Sequence, residues 1–331
     1  MAGRRRKKSG GRSYAWRYRG RIVACVFVEV IIICALVIMI GWNKGVKEWF
    51  EQFEQPVLKE VDISGINSPN AILMQARGGK ILGEINGEAQ IYPASMTKIM
   101  TVILGIENFD DLDEKITLTN EMFTGLYEQD ATQAGFQPGE EVRVIDLLYG
   151  AMLPSGAECC IALADTISGS EADFAELMNK KARKLGMENT HFCDSTGLHN
   201  PDHYSTVKDI AVLMKYCIKN DTFREIVETS RHSTGVTNIH PDGITYYSTM
   251  FKNLSDPTVT GGKILGGKTG YTSEAGHCLV SFAEIEGREY IFVSAGASGA
   301  EGNTIPHIQD AVTVYNRVGA AIEEKMNDNN K

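Results

Sequence analysis

The stretch "HCLVSFAEIEGREYIFVSAGA", residues 277–297, consists of two apolar runs separated by the polar residues "EGRE". Two runs of this length around a short polar turn are typical of a β-hairpin. Near residue 70, the runs "AILMQA" and "KILGEI" flank a glycine turn and predict a second hairpin. Strand patterns therefore stand at both ends of the main body of the chain.

Helical patterns fill the sequence between the two hairpins, and another follows the second hairpin. They are "RVIDLLYGAML", "GAECCIALADTI", "EADFAELMNKKARKLG", "STVKDIAVLMKYCIKN" and, near the C-terminus, "TIPHIQDAVTVYNRVGAAIEEKM". This order predicts an α/β (α+β) fold, in which helices flank one antiparallel sheet built from distant parts of the chain and a helical lobe is inserted. A cleft between such lobes is a common place for an active site.

Charge is distributed unevenly along the chain. Residues 1–21 hold nine basic groups and no acidic one, whereas from residue 42 onward 24 basic residues face 41 acidic ones. Domains that bind nucleic acid present a basic surface. The acidic body therefore argues against nucleic acid as a partner.

Residues 22–41, "IVACVFVEVIIICALVIMIG", form an apolar run of 20 residues with one charge, Glu29. This is the length of a membrane-spanning helix. The positive-inside rule places the basic segment 1–21 in the cytoplasm and the body outside the membrane. A cleaved signal peptide is the competing interpretation, but the run is longer than a signal core and no small-x-small cleavage site follows it. We expect a single-pass anchor.

Composition predicts the remaining boundaries. We expect a juxtamembrane linker over residues 42–64, the main folded domain over residues 65–323 and a polar tail over residues 324–331. In the linker, "VKEWFEQFEQP" places aromatic rings at helical spacing just beyond the membrane. A segment lying in the membrane interface and a merely amphipathic linker are equally good interpretations of it.

The segment "YPASMTKIMT", residues 92–101, contains one lysine, Lys98, in a run that is otherwise uncharged. If a helix begins near Ser95, positions i and i+3 share a face, and the amine of Lys98 can reach the hydroxyl of Ser95. A serine becomes a good nucleophile when a neighbouring base takes its proton. Burial and a second nearby cation favour the neutral amine that such a base requires. An N-cap serine with a snorkelling lysine is the alternative.

The spacing alone is weak evidence, because it recurs at Ser205 and Lys208. There, Thr206 and Asp209 have the spacing of a helix capping box. We therefore expect that second stretch to have a structural role.

Two later stretches offer partners for Ser95. "GGKTGYTSEAG", residues 266–276, places Lys268 and Thr269 among glycines, on a strand whose edge can hold a peptide. A polar glycine turn is the alternative. In "AMLPSGAECCIALAD", residues 151–165, Ser155 follows a proline at a helix start, where it serves either as a capping residue or as a proton relay.

In the order S-x-x-K, a serine at a helix start, then K-T-G, these stretches resemble the penicillin-binding serine enzymes. The chain is most similar to the low-molecular-mass D-alanyl-D-alanine carboxypeptidase family of serine peptidases. The similarity covers roughly residues 65–300. It extends over four blocks: "YPASMTKIMT", "LLYGAMLPSGAECCIALA", "DSTGLHNPDHYSTVKDIAVLM" and "GGKTGYTSEAGHCLVSFA".

The resemblance implies a β-lactamase/transpeptidase-like fold and a role for each motif residue. It implies that Ser95 is the acylated nucleophile, Lys98 its general base and Ser155 the proton relay. It further implies that Lys268 and Thr269 bind the substrate carboxylate. The N–H groups of Ser95 and Tyr271 are then the oxyanion hole. The implied substrate-binding strand comprises Lys268, Thr269, Gly270 and Tyr271.

The implied activity is that of a serine D-Ala-D-Ala carboxypeptidase anchored in a bacterial cell membrane. Its partners are then the peptidoglycan stem peptide as substrate, β-lactams as inhibitors and the membrane through the N-terminal helix. The family chemistry requires no metal and no organic cofactor.

One position departs from the family pattern. Where the family usually has S-x-N, this chain has Ser155, Gly156 and Ala157. The triplet "SPN" at residues 68–70 precedes Ser95 and is in the wrong order to replace it. The loss of one positioned hydrogen bond weakens transition-state stabilisation by a few kcal/mol, on the order seen for oxyanion donors, unless Glu158 or water compensates.

Several rival functions stay open at this point. A β-lactamase, a D,D-endopeptidase or a transpeptidase on the same scaffold differs only in what is cleaved or in what attacks the acyl-enzyme. A catalytically weak wall-binding protein is the rival from another class. A zinc carboxypeptidase is disfavoured, because the seven histidines show no H-E-x-x-H pattern.

Overall fold

The structure, a computed structural model, describes residues 58–299 and 305–329. The predicted basic segment 1–21, the membrane helix 22–41 and most of the linker 42–64 lie outside these residues. Within the described ranges, no helix has both the length and the apolar character needed to cross a membrane.

In the described part of the chain, ten strands form one large sheet and two small ones. Their bounds are β1 Asn70–Gln75, β2 Ile81–Ile85, β3 Lys115–Thr117, β4 Glu141–Arg143, β5 Arg231–Ser233, β6 Thr245–Tyr247, β7 Thr258–Val259, β8 Gly262–Thr272, β9 Gly276–Ile285 and β10 Arg288–Ala297. The large sheet is antiparallel in the order β2-β1-β10-β9-β8-β7, and β3-β4 and β5-β6 pair separately. Both predicted hairpins are confirmed as β1-β2 and β9-β10, and β1 pairs with β10, so the sheet joins the two ends of the described body.

Eight α-helices accompany the sheet in the described part of the chain. They are α1 Lys98–Asn108, α2 Val144–Met152, α3 Ala157–Ser168, α4 Glu171–Leu185, α5 Val207–Cys217, α6 Asp221–Glu228, α7 Thr249–Asn253 and α8 Pro306–Asn329. The helices predicted from periodicity are confirmed as α2, α3, α4, α5 and α8. The predicted cap is also confirmed, because the Thr206 hydroxyl accepts a hydrogen bond from the Asp209 N–H at 3.0 Å at the start of α5.

Two apolar layers cover the faces of the large sheet. On one face, Ile72 and Val280 pack among residues of α1 to α6, which form the helical lobe. On the other face, Leu73 and Leu279 pack against α8. Because side chains alternate along a strand, neighbouring residues enter different layers, and burial on both faces explains the nearly continuous apolar runs of β9 and β10.

The described body begins before the predicted domain boundary and ends in a longer helix than expected. Leu58, Val61 and Ile63, which the sequence assigns to the linker, are buried in the layer under α8. The helix α8 continues through Asn329, into the segment predicted as a polar tail.

One edge of the sheet is left open beside the helical lobe. The short strand β7 pairs only with residues 262 and 263 of β8. In the described ranges, residues 266–272 of β8 therefore have a partner strand, β9, on one side only. This open edge runs past the start of α1, and it places the end of β8 next to Ser95.

Candidate active site

Ser95 and Lys98 are in contact at the N-terminal end of α1. Ser95 belongs to a 3₁₀ helix, Ala94–Thr97, and α1 begins only at Lys98, so the expected α-helical start near Ser95 is a tighter turn. Side chains at i and i+3 of a 3₁₀ helix lie one above the other. Lys98 Nζ accordingly lies 3.1 Å from Ser95 Oγ. Ser95 caps neither helix, so the capping alternative is wrong.

The amine of Lys98 is buried rather than extended to solvent. Lys98 is 3% exposed, and its Nζ also donates to the carbonyl oxygen of Thr196 at 2.7 Å. A buried amine needs hydrogen-bond partners, and here both partners are neutral oxygens. The geometry therefore provides a buried amine held against a serine hydroxyl, and the snorkelling alternative is wrong.

Lys268 lies in β8 as a second buried amine near the first. It is 1% exposed, and its Nζ donates to the carbonyl oxygen of Thr269 at 2.8 Å. Burial lowers the pKa of Lys268 well below its usual value, and the positive charge of Lys98 lowers it further. The two lysines are thus electrostatically coupled in a region of low solvent access.

Two residues beside the nucleophile have left-handed backbone angles that favour glycine. Ala94, directly before Ser95, has φ +47°, and Ser155 has φ +72°. Conformations of this kind are strained, and they persist where the surrounding structure holds them. Ser155 is 6% exposed and makes no capping bond, because the N-cap of α3 is Gly156. The capping interpretation of Ser155 is therefore wrong.

The end of β8 passes close to the nucleophile at Gly270. A Cβ at this position would lie 3.0 Å from the backbone nitrogen of Ser95 and 3.1 Å from the Cβ of Ala94. Only glycine permits this approach without a shift. The hydroxyl of Thr269 shares a hydrogen bond of 2.7 Å with the hydroxyl of Thr249 from α7.

A cavity of about 230 Å³ brings these groups together. Its lining contains Ser95, Ser155, Lys268, Thr269, Gly270 and Tyr271, together with Thr132, Pro154, Thr249, Asn253, His277, Ile305 and His307. Lys98 lies beneath the surface, in contact with Ser95. All seven residues singled out in the sequence therefore meet at one place, although they come from three separate parts of the chain.

Sequence reasoning missed a pair of histidines in the same cavity. The rings of His277 and His307 are stacked, with centroids 4.9 Å apart and planes 4° apart. His277 Nε2 and His307 Nδ1 are buried without a hydrogen-bond partner. Burial, followed by the charge of His277, lowers the pKa of His307 to about 4. His277 lies in the block "GGKTGYTSEAGHCLVSFA" and His307 in the predicted C-terminal helix, but neither stretch marks its histidine as a residue of the site. The structure brings them there, because His277 pairs with Tyr271 in the register of β8 and β9.

The position that usually carries asparagine is filled by Ala157, which is 1% exposed at the start of α3. Its N–H donates to the carbonyl oxygen of Thr132 at 2.8 Å. Glu158 does not replace the missing amide, because its Oε1 accepts the N–H groups of Ala134 and Gly135 at 2.7 and 2.9 Å. Burial raises the pKa of Glu158. Ala157 and Glu158 thus both hold the loop at residues 132–135, which precedes β4.

Within the described ranges, no group of three or more His, Cys, Asp or Glu side chains could hold a metal ion. Besides the two histidines, the cavity presents hydroxyls, an amine and backbone N–H groups. Such a pairing of serine and lysine, where an antiparallel sheet meets a helical lobe, defines a serine acyl-transfer enzyme with the transpeptidase-like fold.

The chain belongs to the peptidase S11 family, the D-alanyl-D-alanine carboxypeptidases, whose family model matches residues 57–299. It is 35% identical over 233 residues to the D-alanyl-D-alanine carboxypeptidase DacF of Bacillus subtilis, covering 69% of this chain and 57% of that protein. It is 33% identical over 262 residues to DacC of Escherichia coli, covering 72% and 58%. The chain thus spans somewhat more than half the length of these relatives.

A solved structure shares the fold over its whole length. The crystal structure of the Streptomyces K15 DD-transpeptidase superposes with a TM-score of 0.69 at 29% identity, covering 79% of this chain and 100% of that one. The expected combination of an antiparallel sheet, flanking helices and a helical lobe is therefore confirmed.

Proposed function

We propose that this protein is a serine D-Ala-D-Ala carboxypeptidase, which removes the terminal D-alanine of peptidoglycan stem pentapeptides through an acyl-enzyme on Ser95. The observation that carries the proposal is the 3.1 Å contact between Lys98 Nζ and Ser95 Oγ, at a cavity that Lys268 also lines. The relatives that carry this activity in their names extend beyond the length matched here, so the activity of this chain stands as our proposal.

In the acylation step, Lys98 Nζ takes the hydroxyl proton as Ser95 Oγ attacks the carbonyl between the two D-alanines, and the amine must enter this step unprotonated to act as the base. The hydrogen bond from Lys98 to the Thr196 carbonyl occupies one N–H and leaves the lone pair for Ser95. The N–H groups of Ser95 and Tyr271 stabilise the negative charge that develops on the carbonyl oxygen.

Ser155 transfers the proton onward to the departing D-alanine. Ser155 lines the same cavity as Ser95, and the surrounding structure holds its strained backbone there. The amine of D-alanine must be protonated to leave, so a relay between Lys98 and the leaving group completes the step. Water then hydrolyses the acyl-enzyme.

The open edge of β8 orients the substrate. A peptide that adds to this edge as a strand gains main-chain hydrogen bonds. Its terminal carboxylate then lies near Lys268 and Thr269. A bound carboxylate also favours the protonated form of Lys268, whose pKa is low in the free protein because of burial and the charge of Lys98. Substrate binding and proton distribution in the site are therefore linked.

A second candidate function is D,D-transpeptidation on the same scaffold. The full-length structural match to a DD-transpeptidase favours it. The two functions differ only in whether water or an amine attacks the acyl-enzyme. β-Lactams acylate Ser95 in either case, because they resemble the acyl donor.

We further propose that residues 22–41 anchor the enzyme in the bacterial cell membrane as a single-pass helix, with residues 1–21 in the cytoplasm and the catalytic body on the outer side. The length of the apolar run and the nine basic residues before it support this arrangement. The acidic body fits a protein without a nucleic-acid partner.

The test uses the full-length protein in detergent and a pentapeptide ending in D-Ala-D-Ala. We expect release of one D-alanine, inhibition by penicillin, and labelling by a fluorescent penicillin that Ser95→Ala abolishes. The matched control is Ser255→Ala, at an exposed serine outside the cavity. Labelling that persists in Ser95→Ala removes this serine from its role. Adding an acceptor amine separates transfer from hydrolysis.

A further inference from the structure

A polar turn at residues 194–197 contacts the nucleophile segment at two points. The carbonyl oxygen of Thr196 accepts from Lys98 Nζ at 2.7 Å. Gly197, with φ +80°, packs so tightly that a Cβ there would lie 1.9 Å from the carbonyl oxygen of Ala94. The turn therefore holds both the amine of Lys98 and the strained residue directly before Ser95.

The carboxylate of Asp194 fixes the shape of this turn. Its Oδ1 accepts from the N–H of Thr196 at 2.7 Å, from the Thr196 hydroxyl at 2.8 Å and from the N–H of Gly197 at 2.6 Å. An Asp side chain that bonds the backbone two and three residues ahead locks a turn. Burial alone would raise the pKa of Asp194, but the hydrogen bond and charge of His203 and the donors of the turn lower it to about 2.

His203 connects Asp194 to the residue before Lys98. It is 2% exposed, with Nδ1 3.0 Å from Asp194 Oδ2 and Nε2 2.9 Å from the hydroxyl of Thr97. An ionised carboxylate only accepts hydrogen bonds, so Nδ1 carries the proton. The hydrogen bond between Nε2 and the Thr97 hydroxyl then completes the link, whichever of the two atoms donates. The backbone N–H of Cys193 lies 3.2 Å from Nδ1 and can donate to it only in the other tautomer.

We propose that Asp194, His203 and Thr97 form a positioning chain, which holds Lys98 Nζ and Ser95 Oγ in the geometry needed for proton transfer. Two routes from Asp194 reach the site: one through the carbonyl of Thr196 to Lys98, the other through His203 to Thr97. A lysine side chain has four rotatable bonds, so its amine needs such external restraints to stay in place. This inference rests on the proposed function, and none of the three residues lines the cavity that contains Ser95.

The first test is Asp194→Asn in the full-length protein. The asparagine oxygen keeps the acceptor of the turn, whereas its amide N–H replaces the carboxylate oxygen that accepts from His203 Nδ1. The link from Asp194 through His203 to Thr97 is then weakened. We expect the acylation rate by penicillin and kcat for the pentapeptide to fall by about 10- to 100-fold, the size of effect that a small misplacement of reacting groups produces. KM changes little. Asp202→Asn, in the same loop at an exposed aspartate, is the matched control.

The second test compares Thr97→Val with Thr97→Ser. This comparison does not depend on whether Asp194→Asn folds well. Valine keeps the shape but lacks the hydroxyl, and serine keeps the hydroxyl. We expect the valine variant to acylate about 10-fold more slowly at an unchanged KM, and the serine variant to recover most of the rate. Native rates in the folded valine variant overturn the proposal, as does a rate loss that serine does not restore. Acylation of the native chain is measured separately, and its absence would speak against the proposed function itself.

Discussion

Two stretches of this chain share the S-x-x-K spacing but differ in the burial of the lysine, in the partners of the serine hydroxyl and in backbone geometry. At Ser95, the lysine three residues later is buried, and its Nζ contacts the serine hydroxyl at 3.1 Å. At Ser205, the corresponding lysine, Lys208, has a side chain that is 38% exposed and pairs with Glu88. The hydroxyl of Ser205 instead shares a hydrogen bond of 2.8 Å with Thr190.

The difference lies in the backbone of each stretch. Ser95 is inside a 3₁₀ turn, which stacks positions i and i+3. Ser205 forms an isolated bridge with Ile91 just before Thr206, the N-cap of α5. Its side chain is therefore outside the helix that carries Lys208. The comparison teaches that turn geometry and burial, rather than spacing, bring an amine to a serine.

Removal of each lysine is the strongest test of this comparison. We expect Lys98→Ala to lower the acylation rate by about 10³-fold, within the range of general-base contributions. Lys208→Ala, with the same spacing at an exposed site, should acylate at the native rate. Stopped-flow measurement with a fluorescent penicillin reads both variants. Equal losses of acylation rate in the two variants would contradict the distinction between the Ser95 stretch and the Ser205 stretch.

Much of the fold could be predicted because its signals are local. The hairpins around residue 80 and residue 287 follow from apolar runs and turn residues, and α5 follows from periodicity and the Thr206 cap. The strained backbone of Ser155 could not be predicted, because tertiary contacts hold it. The stacking of His277 on His307 is of the same kind, since it depends on α8 packing against β9.

Prediction of the candidate site from the sequence was limited in the same way, because part of it depends on tertiary contacts. Its motif residues were recognisable because their types and order suit acyl transfer, whereas the 3₁₀ turn that brings Lys98 to Ser95 has no local signature in the sequence. The link from Asp194 through His203 to Thr97 spans about a hundred positions and exists only in the folded chain. The membrane helix over residues 22–41 stays a prediction.

A substitution at Gly270 tests the close approach of the β8 backbone to Ser95. In Gly270→Ala the new Cβ meets the backbone nitrogen of Ser95 at 3.0 Å, so β8 or the nucleophile must shift. We expect a fall of about 10²-fold in the acylation rate. Gly235→Ala is the matched control, because its Cβ meets only the side chain of Arg143 at 3.7 Å. A native rate in Gly270→Ala contradicts the prediction.

His307, one of the two buried histidines of the cavity, makes the stability of the protein sensitive to acid. Burial and His277 lower the pKa of His307 to about 4 against a usual value of 6.5, while Asp310 acts in the opposite direction. Protonation of His307 therefore favours the unfolded chain. The stability contributed by the neutral ring is complete above pH 6.5 and is lost as the pH falls toward 4.

Between pH 7 and pH 5 this loss amounts to about 2 kcal/mol. In His307→Leu we expect the free energy of unfolding to fall less over the same interval, by about that amount. Urea titrations at the two pH values measure the difference. An unchanged pH dependence in His307→Leu would show that the ring is protonated equally in the folded and unfolded states.

The Ser205 stretch is expected to matter for stability alone, through the cap of α5. Thr206→Ala removes the acceptor of the Asp209 N–H, at 3.0 Å in the native chain, and loss of an N-cap destabilises a protein by about 1 kcal/mol. Thr206→Ser keeps the acceptor and should remain near the native free energy of unfolding. Both variants should acylate at the native rate once folded. A slower acylation in Thr206→Ala would mean that α5 also orients the nucleophile, and the two S-x-x-K stretches would then be coupled rather than independent.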